Sequence, residues 1–139
     1  MGNLQPSTSQ IARVGILKLC SDFTHALAPL GFTRTRSGSR AWQRQQPGYV
    51  EHIYLHRCGS SYGAPRNNSV ALRVQFSIQF PSGAPMPVPL YSDPLRDSNG
   101  RAYHLRFNAL SWSTYDRCLA DLKRIVQEHA LPWFERQKA

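Results

Sequence analysis

Val70-Ala71-Leu72-Arg73-Val74-Gln75-Phe76-Ser77-Ile78-Gln79-Phe80 is the stretch that decides the fold. Its even positions are Val, Leu, Val, Phe, Ile and Phe, and its odd positions are small or polar. A period of two puts all the large apolar side chains on one face of an extended strand. A strand apolar on one face only belongs to an antiparallel sheet covered on one side, because parallel strands are buried on both. The rest of the chain must therefore supply strands beside this one and a layer to cover its apolar face.

The neighbouring strands are found upstream and downstream. Arg40 to Gln45 around Trp42, and Tyr49 to Cys58, read as two strands, and Gln46-Pro47-Gly48 between them is a turn signal. These two form a hairpin, and Gly31 to Arg36 adds a short edge strand. Arg101 to Phe107 reads as a fourth main strand, since Tyr103, Leu105 and Phe107 alternate with Ala102, His104 and Arg106. Two loops separate the strands. Gly59 to Ser69 is rich in Gly, Ser and Asn, and Pro81 to Gly100 holds five prolines. The second is long for a compact domain, and such loops are functional or mobile.

The covering layer comes from the two ends. Ile11, Val14, Leu17, Leu19, Cys20, Phe23, Ala26, Leu27 and Leu30 recur at three- and four-residue steps, the spacing of a helix. Ser7 or Ser9 can cap its start, and Pro29 and Gly31 mark its stop. Gly15 either weakens this helix or admits a close backbone neighbour. Tyr115, Cys118, Leu119, Leu122, Ile125, Val126 and His129 predict a second helix. Ser113 and Asp116 form its capping-box signal, and Leu131-Pro132-Trp133-Phe134 ends it. The expected fold is α+β: an N-terminal helix, a four- to five-stranded antiparallel sheet and a C-terminal helix, with both helices on one sheet face. Residues 1–139 read as a single domain, a size that leaves no room for a Rossmann unit plus a second domain or for a TIM barrel.

Charge is the second strong signal. The chain carries 17 Lys+Arg against 8 Asp+Glu, a formal net charge of +9, and 14 of the basic residues are Arg. Residues 34–106 hold ten Arg against Glu51, Asp93 and Asp97, while the two terminal segments are close to neutral. If the helices cover one sheet face, the opposite face should be basic and open. Arg presents a rigid fork of donors to carboxylates and phosphates, so the composition points to a shaped contact with an anionic partner.

Chemistry-bearing motifs are few. Cys20, Cys58 and Cys118 are an odd, widely spaced set that makes a poor disulfide framework, and Cys20 and Cys118 fall on apolar helix faces as buried thiols. With no basic, apolar leader at the N-terminus, a cytoplasmic location is expected, and with no run of 18 apolar residues, no membrane partner is expected. His52, His56 and Cys58 share one side of a strand. They spread along it too far for one zinc ion, so no metal or other cofactor is predicted. No nucleophile motif, carboxylate pair or Gly-rich phosphate loop is present, so no catalytic residue is assigned. A hydrolase or transferase with its site in the proline loop, to be tested by alanine replacement of His52, His56 and His104, is the weakest of the readings.

Leu27 and Leu30-Gly31-Phe32 closing the first helix, an Arg-rich strand with Trp42, the alternating strand, an isolated Trp112 and the terminal Leu131-Pro132-Trp133-Phe134 together resemble an uncharacterised family of small bacterial α+β domains. Some members of that family belong to toxin–immunity systems. The resemblance spans nearly the whole chain, rests on structural motifs and brings no catalytic residues with it. The strong positive charge and the long proline loop depart from the family pattern. What it implies is a non-enzymatic immunity protein that occludes a bacterial toxin, here one with an acidic surface. The residues expected to make that contact are Arg44, Arg57, Arg73 and Arg106, with Trp42 and Tyr54 as aromatic anchors. The alternative is a nucleic-acid-binding domain using the same basic face, with bases stacked on its aromatics.

Overall fold

The computed structural model describes residues 7–58, 68–81 and 85–138. Helix α1 spans Thr8–Leu27. The Ser7 hydroxyl accepts from the Gln10 backbone N–H, and the Gln10 side chain accepts from the Ser7 N–H, so two free donors of the first turn are satisfied reciprocally. A short 3₁₀ turn, Ala28–Leu30, follows, and Gly31 closes it at φ 93°, a left-handed conformation that glycine adopts without steric cost.

Strands β1 (Thr33–Arg34), β2 (Ala41–Gln46), β3 (Tyr49–Arg57) and β4 (Ser69–Gln79) follow as an antiparallel meander. The Pro47-Gly48 turn pairs Gln46 with Tyr49, which sets Arg44 opposite Glu51 and Trp42 opposite Ile53. The far edge of β4 is shared by two short strands, β5 (Leu90–Tyr91) and β6 (Arg106–Asn108). The sheet therefore has six strands, one more than expected, because β5 in the proline-rich segment also pairs.

The expected strand from Arg101 to Phe107 does not form over its length. Only its end pairs, as β6, and Ala102 makes an isolated bridge with Arg96. The Asp97 carboxylate accepts from the backbone N–H groups of Asn99 and Arg101 and curls the chain there. The edge of β4 between β5 and β6 is met by single bonds, such as that from Leu72 N–H to the Leu105 carbonyl.

Helix α2 spans Tyr115–Ile125, and α3 spans Leu131–Gln137. The Ser113–Asp116 capping box is absent. Thr114 takes the N-cap position in a left-handed conformation, and its hydroxyl donates to the Arg106 carbonyl instead. Leu131-Pro132 does not end the helix. A π turn, Val126–Ala130, precedes Pro132, and the chain then continues as α3. Proline has no N–H and crowds the carbonyl four residues back, and a widened turn is the local distortion that lets a helix pass it.

Both helical segments lie on the apolar face of the sheet. Every even position from Val70 to Ile78 is buried against Phe23, Leu19, Leu122, Ile125 and Phe134. Trp42 is fully buried in that layer, edge-on to Phe23, and its indole N–H donates to the Thr24 hydroxyl at 2.9 Å. Gly15 is fixed by packing: a Cβ there would sit 2.8 Å from Ala109 Cβ and 3.0 Å from the Phe107 ring. No described helix is long and apolar enough to cross a membrane.

Candidate functional site

The pairing of β2 with β3 ends at Ala41 opposite Tyr54. Beyond that point Leu55 N–H reaches across to the Arg40 carbonyl at 2.9 Å. The connection from β1 to β2 turns back at this corner, where Gly38 sits at φ 80°. Ser39 shapes the turn, its carbonyl accepting from Arg34 Nε at 2.6 Å and its hydroxyl meeting that of Thr35 at 3.0 Å. Three arginines, Arg34, Arg36 and Arg40, are thereby gathered on one short connection. Arg13 on α1 and Arg57 at the end of β3 complete the group.

These five residues surround two adjoining clefts that share Arg40 and Arg57. One, of about 410 Å³, has Ile16, Leu17 and Cys20 of α1 among its apolar lining and Arg13 and Arg34 on its walls. The other, of about 660 Å³, reaches Arg36, Tyr54 and His56. No described residue lining either cleft is an Asp or Glu. Arg13, Arg34, Arg36 and Arg40 take part in none of the ion pairs among the described residues. Arg34 Nη2 is buried without a hydrogen-bond partner. The field of this corner reaches the Cys20 thiol: burial raises its pKa, and Arg34 and Arg40 act against that rise. A thiol so raised is a poor nucleophile. The corner offers forked donors and an apolar floor, the equipment for holding oxyanions.

The six residues expected to form a contact surface are not brought together. Trp42 and Arg44 share a face of β2, but it is the helix-covered one. Trp42 therefore cannot anchor a partner. Arg44 donates from Nε to Glu51 at 2.6 Å and from Nη1 to the Leu30 carbonyl at 3.0 Å, and it lies over the Phe32 ring. It neutralises a carboxylate that is 0% exposed, so its role is internal. Arg57 lies at the corner, and Tyr54 lines its larger cleft. Arg73 pairs with Asp93 and stacks on Tyr91. Arg106 stands apart, on β6.

The opposite sheet face is not the basic surface that charge partition suggests. Its central positions are Gln43, His52, Tyr54, His56, Arg73, Gln75, Ser77 and Tyr91, and the one arginine among them, Arg73 opposite His56, is paired with Asp93. His52, Tyr54 and His56 form a stacked row, with centroids 5.5 and 6.3 Å apart. His52 Nε2 meets Gln79 Oε1 at 3.1 Å, and His56 Nε2 meets Gln75 Oε1 at 2.9 Å, so each ring is oriented by a glutamine. Among the described residues, no three His, Cys, Asp or Glu side chains are grouped to hold a metal ion.

Arg13, Arg34, Arg36 and Arg40 are the residues that sequence reasoning passed over. A signal for three of them was present: Arg34-x-Arg36 and Arg40 fall within seven residues, around Gly38, without an acid between them. No protein-family model matches the chain, and neither a curated protein nor a solved structure does.

Proposed function

We propose that this chain is a non-enzymatic binding protein that docks the acidic surface of a protein partner through its arginine corner. The observation that carries this reading is the convergence of Arg13, Arg34, Arg36, Arg40 and Arg57 on two adjoining clefts whose described lining holds no carboxylate. Side chains crowded at like charge raise the energy of the free protein, and a complementary partner relieves it. Arg beside apolar floor residues is the composition of an interface anchor. The resemblance to small immunity-type domains points to a toxin as that partner, neutralised by occlusion.

The test is retention of proteins from the source cell by the immobilised chain and by an Arg34→Gln/Arg36→Gln/Arg40→Gln variant. The expected outcome is an acidic protein held by the native chain and lost from the variant, whose toxicity on expression is suppressed by the native chain alone. Identical retention by both would end this reading. Tyr54 and His56, which line the larger cleft, support a second reading, single-stranded nucleic acid with bases stacked on the rings. That reading requires binding of a fluorescent oligonucleotide whose affinity falls steeply with salt.

A further inference from the structure

A second basic recess lies away from the arginine corner, where β6 meets the start of α2. It is a cleft of about 390 Å³ whose lining includes Tyr103, His104, Arg106 and Arg117. Arg106 extends from β6 and Arg117 from the first turns of α2, and neither takes part in an ion pair among the described residues. His104 Nε2 is buried with no hydrogen-bond partner. A buried polar atom left without a partner costs free energy and calls for an explanation.

The acceptors near this recess are engaged elsewhere. Asp121 accepts from the His104 backbone N–H at 2.6 Å and from Arg124. The Tyr103 hydroxyl donates to Glu128. What remains is two guanidinium groups and one imidazole, a set rich in donors and without a free carboxylate. Its complement is a ligand that only accepts and that carries more than one negative charge.

We propose that this recess binds a phosphate group, held between the guanidinium groups of Arg106 and Arg117 and completed by the protonated imidazole of His104. The volume admits the phosphate of a small monoester as well as the free ion. In the empty recess the imidazole is neutral at pH 7. Burial first, then Arg117 and Arg106, hold its pKa below the ordinary histidine value, and Asp121 and a hydrogen bond with the Arg106 backbone act in the opposite sense. An anion seated between the arginines reverses that field, so the ring takes up a proton and its positive charge adds to the attraction for the ligand. Binding is therefore coupled to proton uptake and tightens as pH falls between the bound and free pKa values.

The test uses NMR on the full, isotopically labelled chain, with sodium sulfate as probe because its charge is constant between pH 6 and 8. The expected result is saturable shifts at residues 103–106 and 117, with affinity severalfold tighter at pH 6 than at pH 8, about tenfold being the ceiling that a one-unit rise in the His104 pKa allows. His104→Gln removes the pH dependence. Arg106→Gln/Arg117→Gln, at two exposed positions, weakens binding more than ~10-fold, the effect of losing charge-assisted hydrogen bonds worth at least 1.4 kcal/mol together. Arg34→Gln/Arg40→Gln leaves binding unchanged, which separates this site from the arginine corner. Phosphate and adenosine monophosphate are then compared: equal affinities assign the free ion, and tighter binding of the nucleotide assigns a monoester. Absence of saturable shifts, or native-chain affinity that is the same at pH 6 and pH 8, would overturn the proposal. Should His104→Gln not fold, the double arginine variant decides alone, because its unchanged affinity would also overturn it.

Discussion

Arg40 and Arg44 stand four residues apart in the sequence and live in opposite surroundings. Arg44 is on the helix-covered face, 20% exposed, locked to a carboxylate that is fully buried. Arg40 is exposed at the corner beside Arg34, Arg36 and Arg57, with no acid lining the shared clefts. Arg124 belongs with Arg44: it reaches Asp97, Asp121 and Glu128 and ties the Asp97 turn to α2. The contrast teaches that a count of arginines mixes two populations. Paired arginines compensate buried or clustered acids and serve the fold. Arg36 and Arg40, which enter no ion pair among the described residues, are placed for something outside the chain.

The sharpest way to break this comparison is to remove Arg44. Arg44→Ala leaves the buried Glu51 side chain with the Gln46 amide but no guanidinium beside it, which costs roughly 3–5 kcal/mol. Urea denaturation should show that loss, and replacing both residues by Leu should recover most of it. A loss below ~1 kcal/mol, the scale of a surface ion pair, would place Arg44 among the unpaired arginines after all.

Arg124→Ala tests the middle of the range. Arg124 itself is 38% exposed, although the Asp97 and Asp121 side chains are only 8% and 12% exposed, so the expected loss is about 1 kcal/mol or somewhat more, and it should shrink in high salt. The same network sets a pH limit. Hydrogen bonds from the Arg101 and Asn99 backbone hold the Asp97 carboxyl below the usual carboxylate range, and the Tyr103 hydroxyl and Arg124 do so for Glu128. Groups with depressed values contribute stability that is complete above the unfolded carboxylate range, near pH 4, and is lost as pH falls through the depressed values. Acid titration of the midpoint of unfolding should show this loss, and Asp97→Asn/Glu128→Gln should flatten it.

The smallest effect on stability is expected at the corner. Arg36→Gln/Arg40→Gln, at two exposed positions, removes like-charge repulsion and no ion pair, so stability should stay within ~0.5 kcal/mol per site or rise slightly. Partner retention should nevertheless disappear. A large destabilisation in urea would show that the corner holds the fold together and would erase the distinction from Arg44.

Some of the errors in reading the sequence were avoidable. A two-residue turn at Pro47-Gly48 forces Gln46 opposite Tyr49, and by steps of two it forces Arg44 opposite Glu51 and Trp42 opposite Ile53. Ile53 and Leu55 are the apolar side of β3, so Trp42 and Arg44 had to share the covered face. Reading the face of each strand separately loses this, whereas reading the hairpin as a register retains it. Other features had no local signal. Tyr103, Leu105 and Phe107 alternate like a strand, yet alternation says nothing of how β5, β6 and single bonds divide the one free edge of β4. The π turn follows from Pro132 being carried through a helix whose outer end is held by Phe134 against Phe32 and Phe76.

The sequence by itself determined the layers. The two-residue period of residues 70–80, the three- and four-residue periods of the terminal segments and the turn at Pro47-Gly48 dictate helices over one face of an antiparallel sheet, because each depends on neighbours close along the chain. It also determined that ten arginines crowd into residues 34–106. Only the tertiary structure decided which of them are spent on acids within the chain and which gather at the corner and at the recess between β6 and α2. Ion pairing and clustering depend on which distant elements meet, and charge along a sequence has no period from which that meeting can be read.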